Sequence, residues 1–197
     1  PRQHLRTEIV FLGDEPLACV LILPVGLLKP DAIVADLLPR DQARAASLQS
    51  PGRYAEYVTS RWMLQQLPQA ESAMLSDPLA IPRKGAVSHC RRWIAVAGSD
   101  RGSLGLDVES RLPRHLPEVV ERLGWGALEP GQYLQAWTLW EAWRKHAGGS
   151  VLDEPDAVYA EVLTAAQNLF DAPQSIEGLV WWSLRLQGAC LSLVLRP

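Results

Sequence analysis

The chain lacks most of what marks a disulfide-stapled, membrane-spanning or nucleic-acid-coating protein. It has 3 cysteines in 197 residues: Cys19, Cys90 and Cys190 are odd in number, far apart, and each lies in or beside an apolar run. That usage excludes a disulfide framework and a cysteine zinc site, and it points to reduced core thiols in a cytoplasmic setting. No long hydrophobic run occurs. The longest, residues 16–28, contains Pro16, Pro24 and Gly26 and falls short of the roughly 18 residues of a membrane span. No basic segment precedes it, so neither a signal peptide nor an anchor is expected. Positive charge is not in excess: 19 Lys+Arg against 22 Asp+Glu leaves −3, which argues against a nucleic-acid partner. Nucleotide loops of the Gly-x-x-x-x-Gly-Lys-Ser/Thr and Gly-x-Gly-x-x-Gly kinds are also missing.

What is present is an ordinary core-forming composition, 48% apolar with 8 tryptophans against 2 phenylalanines. Disorder is excluded as the dominant state. The length allows one large domain or two half-sized lobes. Residues 8–12 and 17–23 are apolar runs around Gly13-Asp14-Glu15-Pro16, the chemistry of a hairpin turn. Residues 31–38 form a short helix or irregular structure, and Pro39-Arg40-Asp41 caps a helix through Leu48. Tyr54, Tyr57, Val58, Arg61, Met63, Leu64 and Leu67 recur near helical spacing up to Pro68. Residues 86–90, 93–97 and 104–108 are strand-like and short enough for a meander. Residues 115–123 are helical, and 130–146 form a stronger helix ended by Ala147-Gly148-Gly149. Residues 158–170 are mixed, and 179–186 and 189–195 form a terminal strand pair around Gln187-Gly188. Strand, helix, strand thus occurs twice, with a join between Gly98 and Gly105.

Three segments carry chemistry. In Gly105-Leu106-Asp107-Val108-Glu109, strand alternation sends Asp107 and Glu109 to one face and Leu106 and Val108 into the core. Two carboxylates at one spot repel, and a hard divalent cation, Mg²⁺ above all, is one way to keep both ionised. A solvated strand edge is the plainer alternative. In Trp137-Thr138-Leu139-Trp140-Glu141-Ala142-Trp143-Arg144-Lys145-His146, Glu141 and Lys145 share a helix face. They form either a surface ion pair or, given the crowded tryptophans, the border of a cleft with a third carboxylate and a phosphate-binding ammonium. In Val87-Ser88-His89-Cys90, the cations Arg83, Lys84, Arg91 and Arg92 nearby make His89 either a structural histidine or a neighbour of a bound phosphate. Cys90 faces away from His89 on a strand, which disfavours a Cys-His nucleophile.

Taken in order, Ser88-His89, Gly105-Leu106-Asp107-Val108-Glu109 and Trp137-Thr138-Leu139-Trp140-Glu141-Ala142 with Lys145 resemble the motifs of 4′-phosphopantetheinyl transferases of the larger, surfactin-synthetase-activating type. The helix around Arg53 and Arg61 and the Arg83-Lys84-Gly85 loop are similar too, so the resemblance spans about residues 41–149. It implies an α+β, pseudo-twofold monomer of two similar lobes, 1–101 and 102–197, with coenzyme A at their interface. It also implies Mg²⁺-dependent transfer of phosphopantetheine from coenzyme A to a serine of an acyl or peptidyl carrier protein. By position Asp107, Glu109 and Glu141 match the metal ligands, with Glu141 also a candidate base. Lys145 matches the pyrophosphate lysine and His89 the neighbour of the 3′-phosphate, while Arg83, Lys84, Arg61 and Arg53 are further phosphate contacts. Arg91, Arg92, Arg101, Arg111 and Arg114 could form a basic docking rim for an acidic carrier.

Two positions depart from the family pattern. Trp140 stands where a lysine usually precedes the helical glutamate, which removes a cation expected beside the pyrophosphate. Tyr54-Ala55-Glu56-Tyr57 replaces an arginine-rich stretch and leaves Arg53 as the nearby cation, one phosphate contact fewer. The alternative function is a non-catalytic coenzyme A or carrier-protein binder on the same fold.

Overall fold

The computed structural model describes residues 5–74, 84–99, 102–149, 157–170 and 172–197, with backbone alone for 68–74 and 84. Among the described residues the architecture is α+β, with two four-stranded antiparallel sheets and five α-helices. The hairpin signal at residues 13–16 joins β1 (Arg6–Leu12) to β2 (Glu15–Pro24). Two short 3-10 turns lead to α1 (Pro39–Ala46) and α2 (Pro51–Met74). A second hairpin, β3 (Lys84–His89) and β4 (Trp93–Ser99), completes the first sheet in the order β1-β2-β4-β3.

The second sheet begins with β5 (Leu104–Glu109). Helices α3 (Leu116–Arg122), α4 (Tyr133–Ala147) and α5 (Ala157–Ala165) follow. Strands β6 (Gln174–Ile176), β7 (Leu179–Leu186) and β8 (Ala189–Leu195) close the sheet in the order β5-β8-β7-β6. One path therefore recurs: a strand, then helices, then a hairpin whose second strand pairs back onto the first. It is β2, α1–α2, β3–β4 in the first sheet and β5, α3–α5, β7–β8 in the second. The first sheet adds β1 outside β2, and the second adds β6 outside β7, which leaves β5 an edge strand.

The sheets pack face to face and each carries helices on its outer face. Val20, Ile22, Ala95 and Ala97 of the first sheet meet Leu106, Val108, Leu191 and Leu193 of the second in one core. Leu21, Leu23 and Val96 turn the other way, onto Val58, Trp62, Met63 and Leu67 of α2. Trp181 and Val194 likewise face Leu139, Trp140 and Trp143 of α4. A sheet covered on both sides must be apolar on both, which is why residues 17–23 read as an unbroken run and why the adjacent Trp181 and Trp182 are both buried.

Several details differ from the sequence reading. Residues 86–108 do not form a three-stranded meander, because β5 leaves β4 and pairs with β8, Leu104 opposite Leu195. Helix α2 continues past Pro68 to Met74. A proline removes one intrahelical hydrogen bond, and the turns before it are anchored by Trp62, Met63 and Leu67. Helix α1 stops at Ala46 and has no side-chain cap at its N-terminus; Asp41 instead turns inward to accept the Tyr57 hydroxyl at 3.0 Å. As read from the sequence, α4 ends at Gly148, whose φ of 72° suits the left-handed cap.

Candidate functional site

The acidic site is made where β5, β3 and α4 meet. Strand alternation sends Leu106 and Val108 into the core between the sheets, and so turns Gly105, Asp107 and Glu109 toward α4. Gly105 is the contact point: a Cβ there would lie 2.0 Å from the Ala142 carbonyl oxygen and 2.7 Å from the His146 nitrogen. The glycine that opens the motif is thus what lets α4 lie directly on β5, one residue from Asp107. Beneath it, Thr138 of α4 bonds Ser192 of β8 at 2.8 Å, and Ser192 bonds Ser183 of β7 at 3.0 Å.

Asp107 is 1% exposed. Its Oδ1 accepts from the Ser88 hydroxyl at 3.0 Å and from the Lys145 ammonium at 2.5 Å. The Ser88 oxygen in turn accepts the Val108 backbone N–H at 3.2 Å and a second Lys145 contact at 3.3 Å. One hydroxyl from the first sheet therefore caps the open edge of the second and fixes the aspartate. Lys145 also lies 3.7 Å from Glu141 Oε2, one helical turn away, so it bridges the two carboxylates while its own side chain stays 41% exposed.

The electrostatics reflect three acids in a half-enclosed place. Burial lifts the Asp107 carboxyl above its ordinary range, against the pull of Lys145, Ser88 and the Val108 amide. Burial and the Asp107 charge raise Glu109. Glu141 is pushed up to about 7 by burial and by Asp107, with a smaller push from Glu109, against the attraction of Lys145. A carboxyl poised there exchanges a proton near neutrality.

Among the described residues no group of three or more His, Cys, Asp or Glu side chains converges into a ready metal site. The donor chemistry still fits a hard cation. Three carboxylates feel one another's charge, and Asp107 Oδ2 is buried with no hydrogen-bond partner among the described residues. A buried carboxylate oxygen left unbonded is costly unless a cation completes it.

The second half of the site lies on the other face of β3. Ser88 turns to Asp107, so its neighbour His89 turns outward, into a cleft of about 480 Å³ lined by Arg44, Arg53, Glu56, Tyr57, Ser60 and Arg61 among others. His89 Nδ1 is 3.7 Å from Glu56 Oε1, the one carboxylate among the described lining residues. Arg61 lies 3.8 Å from Asp41 and over the Tyr57 ring at 5.3 Å, while Asp41 holds the Tyr57 hydroxyl. Three guanidinium groups and an imidazole lining one cleft suit a phosphate.

The expected site residues thus fall into two groups: Asp107, Glu109, Glu141 and Lys145 at the acidic site, and Arg53, Arg61 and His89 at the basic cleft. Arg83 and Arg101 lie outside the described residues, as does the side chain of Lys84. Two participants were not picked out from sequence. Arg44, carried by α1, adds a third guanidinium to the lining of the cleft. Ser88 was seen only as a motif residue, although its period-two spacing from inward-facing Ala86 was the available signal.

Position 140 does not border the acidic site: the indole is 0% exposed and packs on Tyr159 at 4.8 Å within the core of the second sheet's helices. The Arg144 guanidinium lies 5.4 Å over the Trp140 ring. Cys19, Cys90 and Cys190 form no disulfide among the described residues. No helix among the described residues is long and apolar enough to cross a membrane. Neither protein-family models nor curated proteins give a match for this chain.

Proposed function

We propose that this chain is a cation-assisted enzyme of phosphate-ester transfer, with acid on one side of β3 and arginine on the other. More specifically, it is read as a 4′-phosphopantetheinyl transferase that moves the phosphopantetheine arm of coenzyme A to a serine of an acyl or peptidyl carrier protein. The observation that carries this reading is the Ser88-His89 pair. Adjacent residues on one strand reach a buried aspartate with an unbonded oxygen and a cleft of three arginines. A substrate with phosphates at two places, a pyrophosphate and a 3′-phosphate, matches that spacing of charge. The recurring strand, helix and hairpin path supports two lobes related by a pseudo-twofold, dividing near residue 101.

Asp107, Glu109 and Glu141 would hold Mg²⁺, which when bound neutralises charge on the pyrophosphate. Arg44, Arg53, Arg61 and His89 bind the 3′-phosphate end and set the position of the reacting phosphorus. Lys145, exposed enough to leave Asp107, donates to pyrophosphate oxygens as charge develops on the leaving group. Glu141, its carboxyl pushed up to about 7 by burial and by Asp107, takes the proton of the attacking serine. The serine oxygen bonds the phosphorus that carries pantetheine, and the pyrophosphate P–O bond breaks to release adenosine 3′,5′-bisphosphate.

A second reading has its own observation. Lys145 already neutralises Asp107, and no three-ligand group stands ready among the described residues, as suits a fold that binds coenzyme A or a carrier without transfer. Intact-mass spectrometry of apo carrier proteins incubated with the chain, coenzyme A and Mg²⁺ separates the two. Transfer adds one phosphopantetheine mass, and Glu141→Ala lowers the rate by about 10³-fold while carrier binding persists. Carrier binding with no mass gain from the wild type favours the binder.

A further inference from the structure

A second basic cleft lies apart from the one that holds His89 and shares no lining residue with it. It encloses about 490 Å³ and is lined by Arg91, Arg92, Ser110, Arg111 and Gly188. Three chain segments build it: the β3–β4 turn of the first sheet, the end of β5, and the β7–β8 turn of the second sheet. These segments are tied together. Trp93 Nε1 donates to the Gln187 carbonyl at 3.3 Å across the two sheets, and the Arg92 carbonyl accepts the Val25 N–H at 2.9 Å. Gly188 has φ 66°, and a Cβ there would come within 2.4 Å of an Arg92 guanidinium nitrogen, so the turn is shaped to let Arg92 lie against it.

None of the three arginines makes an ion pair among the described residues. In a chain with 22 acids to 19 Lys+Arg, three guanidinium groups around one hollow without a carboxylate repel one another and are held there by the fold. Ser110, which lines the cleft, directly follows Glu109 at the end of β5.

We infer that Arg91, Arg92 and Arg111 form the docking surface for a carboxylate-rich face of the protein that brings the acceptor hydroxyl; this rests on the transferase reading above. Guanidinium forks pair with carboxylates in bidentate fashion. The three are exposed on a rim, as suits another protein's surface more than a small enclosed anion. The coenzyme's phosphates already have Arg44, Arg53 and Arg61 in the other cleft. Charge at such a rim chiefly speeds and orients encounter, and salt screens it over about 8–10 Å at physiological ionic strength.

The test is binding of labelled apo acyl carrier protein and apo peptidyl carrier domain by fluorescence anisotropy, from about 20 mM to about 300 mM NaCl. The full chain is compared with Arg92→Glu/Arg111→Glu and the milder Arg111→Gln. Mass gain and coenzyme A affinity are followed in parallel. Expected are affinity that falls with salt, a loss of about 10-fold or more in the double variant with a flattened salt slope, a smaller loss in Arg111→Gln, and unchanged coenzyme A affinity. No binding, equal binding by the variants, or a loss of coenzyme A affinity in their place overturns the inference. The expected binding pattern without mass gain supports the surface and overturns the transferase reading; mass gain with unaltered binding does the reverse.

Discussion

The strands that open the recurring path in the two sheets, β2 and β5, occupy matching places and have opposite characters. Strand β2 pairs with β4 on one side and β1 on the other, and residues 17–23 are buried and apolar throughout. Among the described strands β5 pairs with β8 alone. Its free edge faces β3 of the other sheet, where the Val108 N–H finds the Ser88 hydroxyl instead of a neighbouring strand. An open edge must satisfy its backbone some other way. Here the partner that does so also anchors Asp107. Placement of the extra strand, outside β2 in one sheet and outside β7 in the other, decides which edge can hold polar chemistry. The helices repeat the contrast: α2 borders an arginine cleft, and α4 borders three carboxylates.

The helix contacts offer the sharpest way to break this comparison. Gly105 lies under the backbone of α4, whereas a Cβ at Gly85 on β3 would meet Leu64 Cδ2 of α2, a movable side-chain tip, at 3.1 Å. Gly105→Ala should destabilise the fold by about 3 kcal/mol or more, because two backbones must separate. Gly85→Ala should cost less than about 1 kcal/mol. Urea unfolding of the pair reads the difference, and equal losses would mean that α4 is no more closely seated than α2.

Ser88→Ala is expected to cost about 2 kcal/mol, since it leaves the Val108 N–H and Asp107 Oδ1 short of a partner in a buried place. Ser88→Thr, which keeps the hydroxyl, should recover most of that loss in the same unfolding assay.

The smallest effect concerns pH. Glu141, with a folded value near 7 against the ordinary 4.5, adds stability that is complete below 4.5 and lost as pH rises through about 7. Asp107 and Glu109, also raised, act in the same direction. Glu141→Gln should therefore stabilise the metal-free protein at pH 8 by on the order of 1 kcal/mol and change little at pH 4. Thermal midpoints at the two pH values test this, and a larger gain at pH 4 would mean that Lys145 outweighs burial and the other two acids.

Local chemistry was legible in the sequence. Gly13 to Pro16 and Gln187-Gly188 turn their hairpins, Gly148 ends α4, and alternation alone turned Asp107 and Glu109 to one face. What the sequence left open depended on residues far apart along the chain. Local periodicity cannot tell that β5 pairs with β8 and not with β4, since Leu104 and Leu195 are brought together by the packing of the whole second sheet. Nor can it place position 140. A tryptophan beside the helical glutamate looks like a lost cation until α5 is packed against α4 and Tyr159 meets the indole. Arg44 and Ser88 belong to the same class, for their roles exist only once α1 lies near α2 and β3 lies along β5. By itself the sequence determined turns, caps and the facing of neighbouring side chains, because these depend on bonds within a few residues. Only the tertiary structure decided which edge stayed open and which charges met across it, because those depend on how two buried sheets share one core.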